Sequence, residues 1–151
     1  MTLLLLCIDL AIFGGWCVGA GIVGAQLPSR WFTRAYCPPC TATTRVALLL
    51  GVRHWKRWLP DAGGWFGPAR KDAHVRPGSL STFVIECRRA IVVHWTAMLI
   101  VPFMVLWNPQ WIVAAVAGFA LLVNGPCLVA LTYNRDRAIA ALLRYPVAAT
   151  R

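Results

Sequence analysis

The chain has 151 residues, of which 59% are apolar and only 13% charged, with Lys+Arg 15 against Asp+Glu 5 and a formal charge of +10. A soluble domain carries roughly 45–50% apolar and about 25% charged residues, so this chain lacks the charge to clothe a water-facing surface. The length suits one domain (1–151), and the composition excludes disorder and argues against a soluble enzyme. All Lys and Arg fall in two blocks, Arg30 to Arg89 and Arg135 to Arg151. Basic residues that alternate with long uncharged stretches do not make a nucleic-acid face. They mark an all-α integral membrane protein with positive cytoplasmic segments, and the eight Trp suit a headgroup-level belt.

Three membrane spans are expected, at about 2–25, 90–107 and 111–131. The first has Asp9 as its sole charge and is long enough to cross about 30 Å of hydrocarbon. Val23-Gly24-Ala25 offers small residues for signal cleavage. No basic residue precedes the run, however, and the run is long for a signal h-region, so an uncleaved anchor is expected. Gly15 and Gly19, then Ala20 and Gly24, repeat a small-xxx-small spacing. That spacing allows close approach of another helix, including one from a homo- or hetero-oligomeric partner.

The basic segment 26–89 follows. Leu27-Pro28-Ser29-Arg30-Trp31-Phe32 leaves the membrane with a Pro stop and aromatic anchors. Thr44 is placed to cap one helix from Arg45 to Leu59, with Val46, Leu49, Leu50, Trp55 and Leu59 set among Arg45, Arg53, Lys56 and Arg57. Its pattern predicts an amphipathic helix in the interface plane. Residues 60–68 form a turn-rich loop, and Pro77-Gly78 breaks the chain again. Helical pattern resumes near Leu80 and runs into the second span, which contains His94 and Pro102.

Asn108-Pro109-Gln110 is a tight antiparallel turn flanked by Trp107 and Trp111. The third span contains Asn124, Gly125 and Pro126. Arg135 to Arg144 reads as a separate short basic amphipathic helix in the tail 133–151. An outside N-terminus and an inside C-terminus put every basic residue on the cytoplasmic side.

Four strings then line up in order: Leu27-Pro28-Ser29-Arg30-Trp31-Phe32; Trp55 through Gly63; Phe83 through Ala90 with His94-Trp95; and Asn108-Pro109, Asn124-Gly125-Pro126 and Tyr133-Asn134-Arg135. Over about residues 26–145 the chain resembles the glycosyl-4,4'-diaponeurosporenoate acyltransferase family, small bacterial membrane proteins associated with the last step of staphyloxanthin-type carotenoid synthesis. Cys37 to Val46 departs from the family pattern. The resemblance implies a multi-pass enzyme of the bacterial plasma membrane. Its reaction would esterify a sugar hydroxyl of a glycosylated lipid acceptor with a fatty acyl group. Acyl-CoA or an acyl carrier protein would be the thioester co-substrate, with no tightly bound cofactor. A non-catalytic small subunit of a larger membrane complex is the alternative, and a lipid-binding or lipid-transport helper is a third reading.

His94 is an ionisable group inside a span, an expensive placement that marks a functional candidate. It sits ~7 Å to the cytoplasmic side of the middle of 90–107, and Asn124 sits ~4–5 Å to the same side of the middle of 111–131. In antiparallel spans the two meet at one level. The amide then fixes the ring's tautomer, and the imidazole accepts a proton from an attacking sugar hydroxyl. The bland reading is a hydrogen bond that only joins two helices.

Glu86 and Arg89, at i and i+3, either form a surface ion pair or act in the site, with Glu86 as base or acceptor-orienting group. Arg88 and Arg89 are either positive-inside anchors or holders of donor phosphate. By the resemblance, Trp55, Lys56 and Asp61 line the acceptor entrance, and Trp95, Asn134 and Arg135 are further substrate-binding residues. On residue type alone, Trp55 is an interfacial anchor, Pro60-Asp61 a turn, and Tyr133-Asn134-Arg135 a cap at the inner interface. The basic segment suits anionic membrane lipid as well as an acidic donor. Cys37 and Cys40 have C-x-x-C spacing, and His54 and His74 could complete a zinc site, but nothing fixes their geometry and no metal is expected. Cys87 is an acyl-carrier candidate or a small buried residue. Asp9 lies too far outward to meet His94.

Overall fold

The structure is a computed structural model that describes residues 2–33, 41–59 and 79–144; all regular structure among them is helical. Helix α1 runs Thr2–Gln26 without an internal proline. Pro28 ends that course and opens a 3-10 turn at Ser29–Trp31.

The expected single helix over 45–59 is instead two. Helix α2 spans Thr41–Leu49 and α3 spans Val52–Trp55, followed by a 3-10 turn at Lys56–Trp58. The break is at Gly51, whose φ of 66° lies in the left-handed region. There Leu50 N–H donates to Val46 O and Gly51 N–H to Leu48 O, closing the helix end. Periodicity alone could not register this, because the apolar positions keep helical spacing across the bend.

Helix α4 spans Ser79–Met98 and enters the second span from near Leu80, as its pattern predicts. It loosens beyond Met98 into α5, Ile100–Phe103, and a 3-10 turn at Met104–Leu106. Pro102 has no N–H to donate back along the helix, and Leu99 N–H turns to Thr96 O at 3.1 Å. Trp16 Nε1 on α1 donates to that same carbonyl at 2.8 Å.

Helix α6 runs 35 residues, Gln110–Arg144, with Pro126 inside it. The separate tail helix expected over 135–144 is therefore a continuation of the third span. Pro126 is tolerated in the helix, and no breaker follows it before Arg144. Residues Tyr133, Asp136, Ala138 and Ile139 are buried against neighbouring helices, so the helix gains packing beyond the apolar run.

Contacts set the topology. Val84 packs with Ala138 and Ile139, His94 bonds Asn124, and Val101 and Met104 pack with Ile112 and Val116. Helices α4 and α6 are thus antiparallel. On α1, Asp9 bonds Trp107 and Asn108, and Phe13 joins the Met104–Ile112 core. Gly24 lies against Val93, where a Cβ would collide with Val93 Cγ2. Helix α1 therefore also runs antiparallel to α4, and Gly24 realises the close approach that the small-residue spacing predicts. Gly15 and Gly19 stay uncovered.

One end of the bundle carries the 107–109 turn and the start of α1. The other carries α2, α3 and Arg30, Arg88, Arg89, Arg135 and Arg137. Leu4, Leu106 and Leu122 are among many large apolar side chains left exposed. Three helices, Leu3–Gln26, Leu80–Leu106 and Gln110–Arg144, are long and apolar enough to cross a membrane. With lipid as solvent, that exposure is favourable, and the protein is a membrane protein.

Candidate active site

His94 is half-buried on α4 and faces α6. Its Nδ1 lies 2.8 Å from Asn124 Oδ1, so the two residues expected at one depth are in direct contact. Asn124 is 3% exposed, and its Nδ2 donates to Ala120 O at 2.9 Å. With the amide nitrogen committed to a carbonyl, the amide oxygen must face the ring. The imidazole therefore donates from Nδ1, and its Nε2 is the ring nitrogen not held by Asn124. No protein group among the described residues bonds Nε2. His94 stands five residues from Arg89 and fourteen from Asn108, or ~7–8 Å and ~21 Å along the axis. It therefore sits nearer the cationic end.

Glu86 pairs with Arg89, whose Nη1 reaches both carboxylate oxygens at 2.9 and 3.0 Å. Arg89 Nη2 also donates to Leu27 O and Ser29 Oγ, and Arg88 Nη1 donates to Phe32 O at 2.9 Å. These two arginines buckle the exit of α1 onto α4. Glu86 is eight residues before His94, ~12 Å along the helix, so the structure does not bring it to the imidazole. Trp95 is 59% exposed.

The other residues singled out by sequence gather around α3. Trp55 Nε1 donates to Leu50 O at 2.8 Å, bracing the Gly51 bend, and packs against the cluster of Ala47, Val52, Ala130 and Tyr133. Lys56 Nζ donates to Asn134 Oδ1 at 2.8 Å. Arg135 grips Asp136 through Nη2 at 2.7 Å and Nε at 2.9 Å. Asp61, Cys37, Cys40 and His74 lie outside the described residues. Cys87 is 3% exposed, a buried thiol.

Sequence reasoning missed Asp136, which is 2% exposed and also accepts from Thr43 at 3.0 Å and Thr44 at 3.3 Å. Thr44 is thus a tether to α6 instead of the expected cap. Tyr133, expected as part of a cap at the inner interface, instead forms the packed partner of α3. It is 1% exposed, and its Oη accepts from Arg53 Nε at 2.9 Å. A Tyr and an Asp three residues apart just past the apolar run, among several cations, are the local signal for both. Asp9, by contrast, is where depth predicts: Oδ1 accepts from Trp107 Nε1 and Asn108 Nδ2, each at 3.1 Å, at the end remote from the cations.

An apolar groove of about 500 Å³ separates part of α1 from α4, lined by residues that include Gly15, Trp16, Gly19, Val93, Thr96 and Ile100. No curated protein and no solved structure matches the chain. A family model described as glycosyl-4,4'-diaponeurosporenoate acyltransferase matches residues 28–144, which include His94, Asn124, the Glu86–Arg89 pair and the α3–α6 cluster. The chain belongs to that acyltransferase family.

Proposed function

We propose that the protein is a membrane O-acyltransferase that esterifies a sugar hydroxyl of a lipid-linked glycoside, with a glycosyl carotenoid acid as the acceptor its family suggests. The observation that carries this reading is the imidazole of His94, held by Asn124 through Nδ1 with Nε2 not taken by Asn124, on an apolar helix long enough to span and nearer the cationic end. Nε2 accepts the hydroxyl proton as the sugar oxygen attacks the acyl carbonyl carbon of a thioester. The carbon–sulfur bond then breaks, and the imidazolium returns the proton to the leaving thiolate. Asn124 stays hydrogen-bonded to Nδ1 throughout, orienting the ring and stabilising its charged form.

The cationic end faces the cytoplasm of a bacterial plasma membrane under the positive-inside rule, which puts the N-terminus outside and the C-terminus inside. Acyl-CoA or an acyl carrier protein delivers the thioester there. The acyl tail lies among the spans, and the apolar groove beside α1 has suitable lining for it. Lys56, Asn134 and Arg135 stand at the entrance level for the polar parts of the substrates. Arg88 and Arg89 hold the α1 exit, and Glu86 neutralises Arg89. Helix α2 lies at the interface with Val46, Leu49 and Leu50 turned outward.

The test is acyl transfer by the purified chain in detergent, given a labelled acyl thioester and a glycoside acceptor. Turnover by the chain alone, lost in His94→Ala with insertion and expression intact, is the expected result. Undiminished turnover in that variant removes the imidazole from the mechanism. The uncovered Gly15 and Gly19 favour a second reading, a subunit role, because they leave room for a partner helix. Turnover only with a co-purifying partner supports that reading.

A further inference from the structure

Among the described residues, two sets of cations are held in contrasting ways. Arg89 and Arg135 each hold a carboxylate, Glu86 and Asp136. Arg53, Lys56 and Arg137 instead converge on a single phenol. Arg53 Nε donates to Tyr133 Oη at 2.9 Å, Lys56 Nζ stands 5.2 Å from the ring centroid, and Arg137 Cζ stands 5.8 Å from it. Among the described residues no carboxylate forms an ion pair with any of the three.

Local geometry explains the convergence. The Gly51 bend turns α3 against α6, and Arg53 and Lys56, three residues apart, share one face of the short helix and the turn after it. Tyr133 and Arg137, four apart, share the facing stripe of α6. Arg53 and Arg137 remain exposed, so the cluster opens to solvent at the cationic end, while Tyr133 is its buried floor.

We propose that Arg53, Lys56 and Arg137, arrayed round Tyr133, form a phosphate-binding site. Two guanidinium groups and an ammonium supply charge-assisted donors with a fixed origin, and a phosphate accepts several of them at once. Fixing three like charges against one ring is unfavourable without an anion, and a phosphate removes that repulsion. The Lys56 ammonium feels its burial most and the neighbouring charges less. Burial pulls it below its ordinary range and Arg137 and Arg53 add to the fall, against an opposing contribution from Tyr133.

Two sources carry this chemistry: the phosphopantetheine of a thioester donor and the headgroup of a phospholipid. The donor case rests on the acyltransferase reading; the site itself does not. Tyr133 follows Asn124 by nine residues, ~13–14 Å along α6 and about half a turn around it. Lys56, bonded to Asn134, is the member on the side nearer the His94 face, because ten residues of helix leave Asn134 about 80° from Asn124. A pantetheine arm would pass by that side.

The experiment uses the full chain in a phosphate-free maltoside detergent and two matched probe pairs. One pair is phosphopantetheine against pantetheine, read by thermophoresis. The other is phosphatidylglycerol against diacylglycerol, read by retention in native mass spectrometry. In at least one pair the phosphate-bearing probe binds about tenfold tighter or more. Arg53→Gln/Lys56→Gln/Arg137→Gln abolishes that preference, and Arg45→Gln, an exposed change on α2, keeps it. The pair that responds identifies the source. Should the triple variant misfold, the charge-retaining Arg53→Lys/Lys56→Arg/Arg137→Lys keeps the preference and the exposed Arg137→Gln alone weakens it. Equal binding within both pairs, or a preference that survives loss of the three charges, overturns the site. His94→Ala binds the responding probe as the parent does, so loss of acyl transfer and loss of phosphate binding remain separable failures.

Discussion

Asn124→Leu separates an amide that serves chemistry from one that only joins helices. The substitution removes the acceptor of the His94 Nδ1 hydrogen at 2.8 Å and the donor to Ala120 O at 2.9 Å, while keeping a side chain of similar size. In the parent the bond strengthens as the imidazole gains a proton, since its donor becomes charged. A hydrogen bond to a charged group contributes about 1.5–3 kcal/mol. A neutral bond already contributes about 0.5–1.5 kcal/mol before the proton arrives, so the transition state loses about 1–1.5 kcal/mol more than the ground state, and at about 1.36 kcal/mol per decade kcat falls roughly 5- to 13-fold. Ground-state binding of the acceptor does not involve the bond, so KM stays within about twofold. The structural share is smaller: interhelical polar contacts in membranes contribute about 0.6–2 kcal/mol, so the thermal midpoint drops modestly. Steady-state acyl transfer on purified protein, alongside a thermal melt in the same detergent, reads both. A variant with parental kcat and a lowered melting point would refute the reasoning and leave the pair as helix glue.

Asp136→Ala strips a buried carboxylate from Arg135, Thr43 and Thr44; Arg135 is a quarter exposed and regains water, so the loss is that of charge-assisted hydrogen bonds, about 1.5–3 kcal/mol, which thermal unfolding checks, and a loss under about 0.5 kcal/mol contradicts it. Gly24→Leu forces α1 away from Val93 and lowers the melting temperature, whereas Gly15→Ala and Gly19→Ala meet open space and are neutral or stabilising by up to about 1 kcal/mol. If a partner helix covers that face in the membrane, the same two alanines instead weaken oligomers on native gels. Asp9→Leu removes the acceptor of Trp107 and Asn108 and loosens the 107–109 turn; protease access to that turn rises while kcat holds, because His94 lies fourteen residues away, nearer the cationic end.

The parts of the fold that could be read from the residues are those fixed by local pattern and depth. Three long apolar helices, the turn at Asn108-Pro109, the Glu86–Arg89 pair and the His94–Asn124 level follow from hydrophobic run length and a constant rise per residue. The parts that could not are contacts between elements far apart in the chain. Thr43 and Thr44 reach Asp136 across more than 90 positions, and no periodicity in either segment encodes that. Gly51 sits in a segment whose apolar spacing stays helical, so the bend shows only as a left-handed backbone angle. Pro126 suggests a stop in water, yet α6 runs on to Arg144 because its later residues are buried against α2 and α4.

Chemical rescue tests the role of His94 most directly. His94→Ala removes the ring and leaves Asn124 in place with space for a small base. Single-turnover acyl transfer is then followed with and without added imidazole. The expected rate is at least about a hundredfold below the parent, as general-base loss gives, with a partial recovery that rises with imidazole concentration. A parental rate without imidazole, in a variant that inserts and melts normally, contradicts proton transfer by this residue.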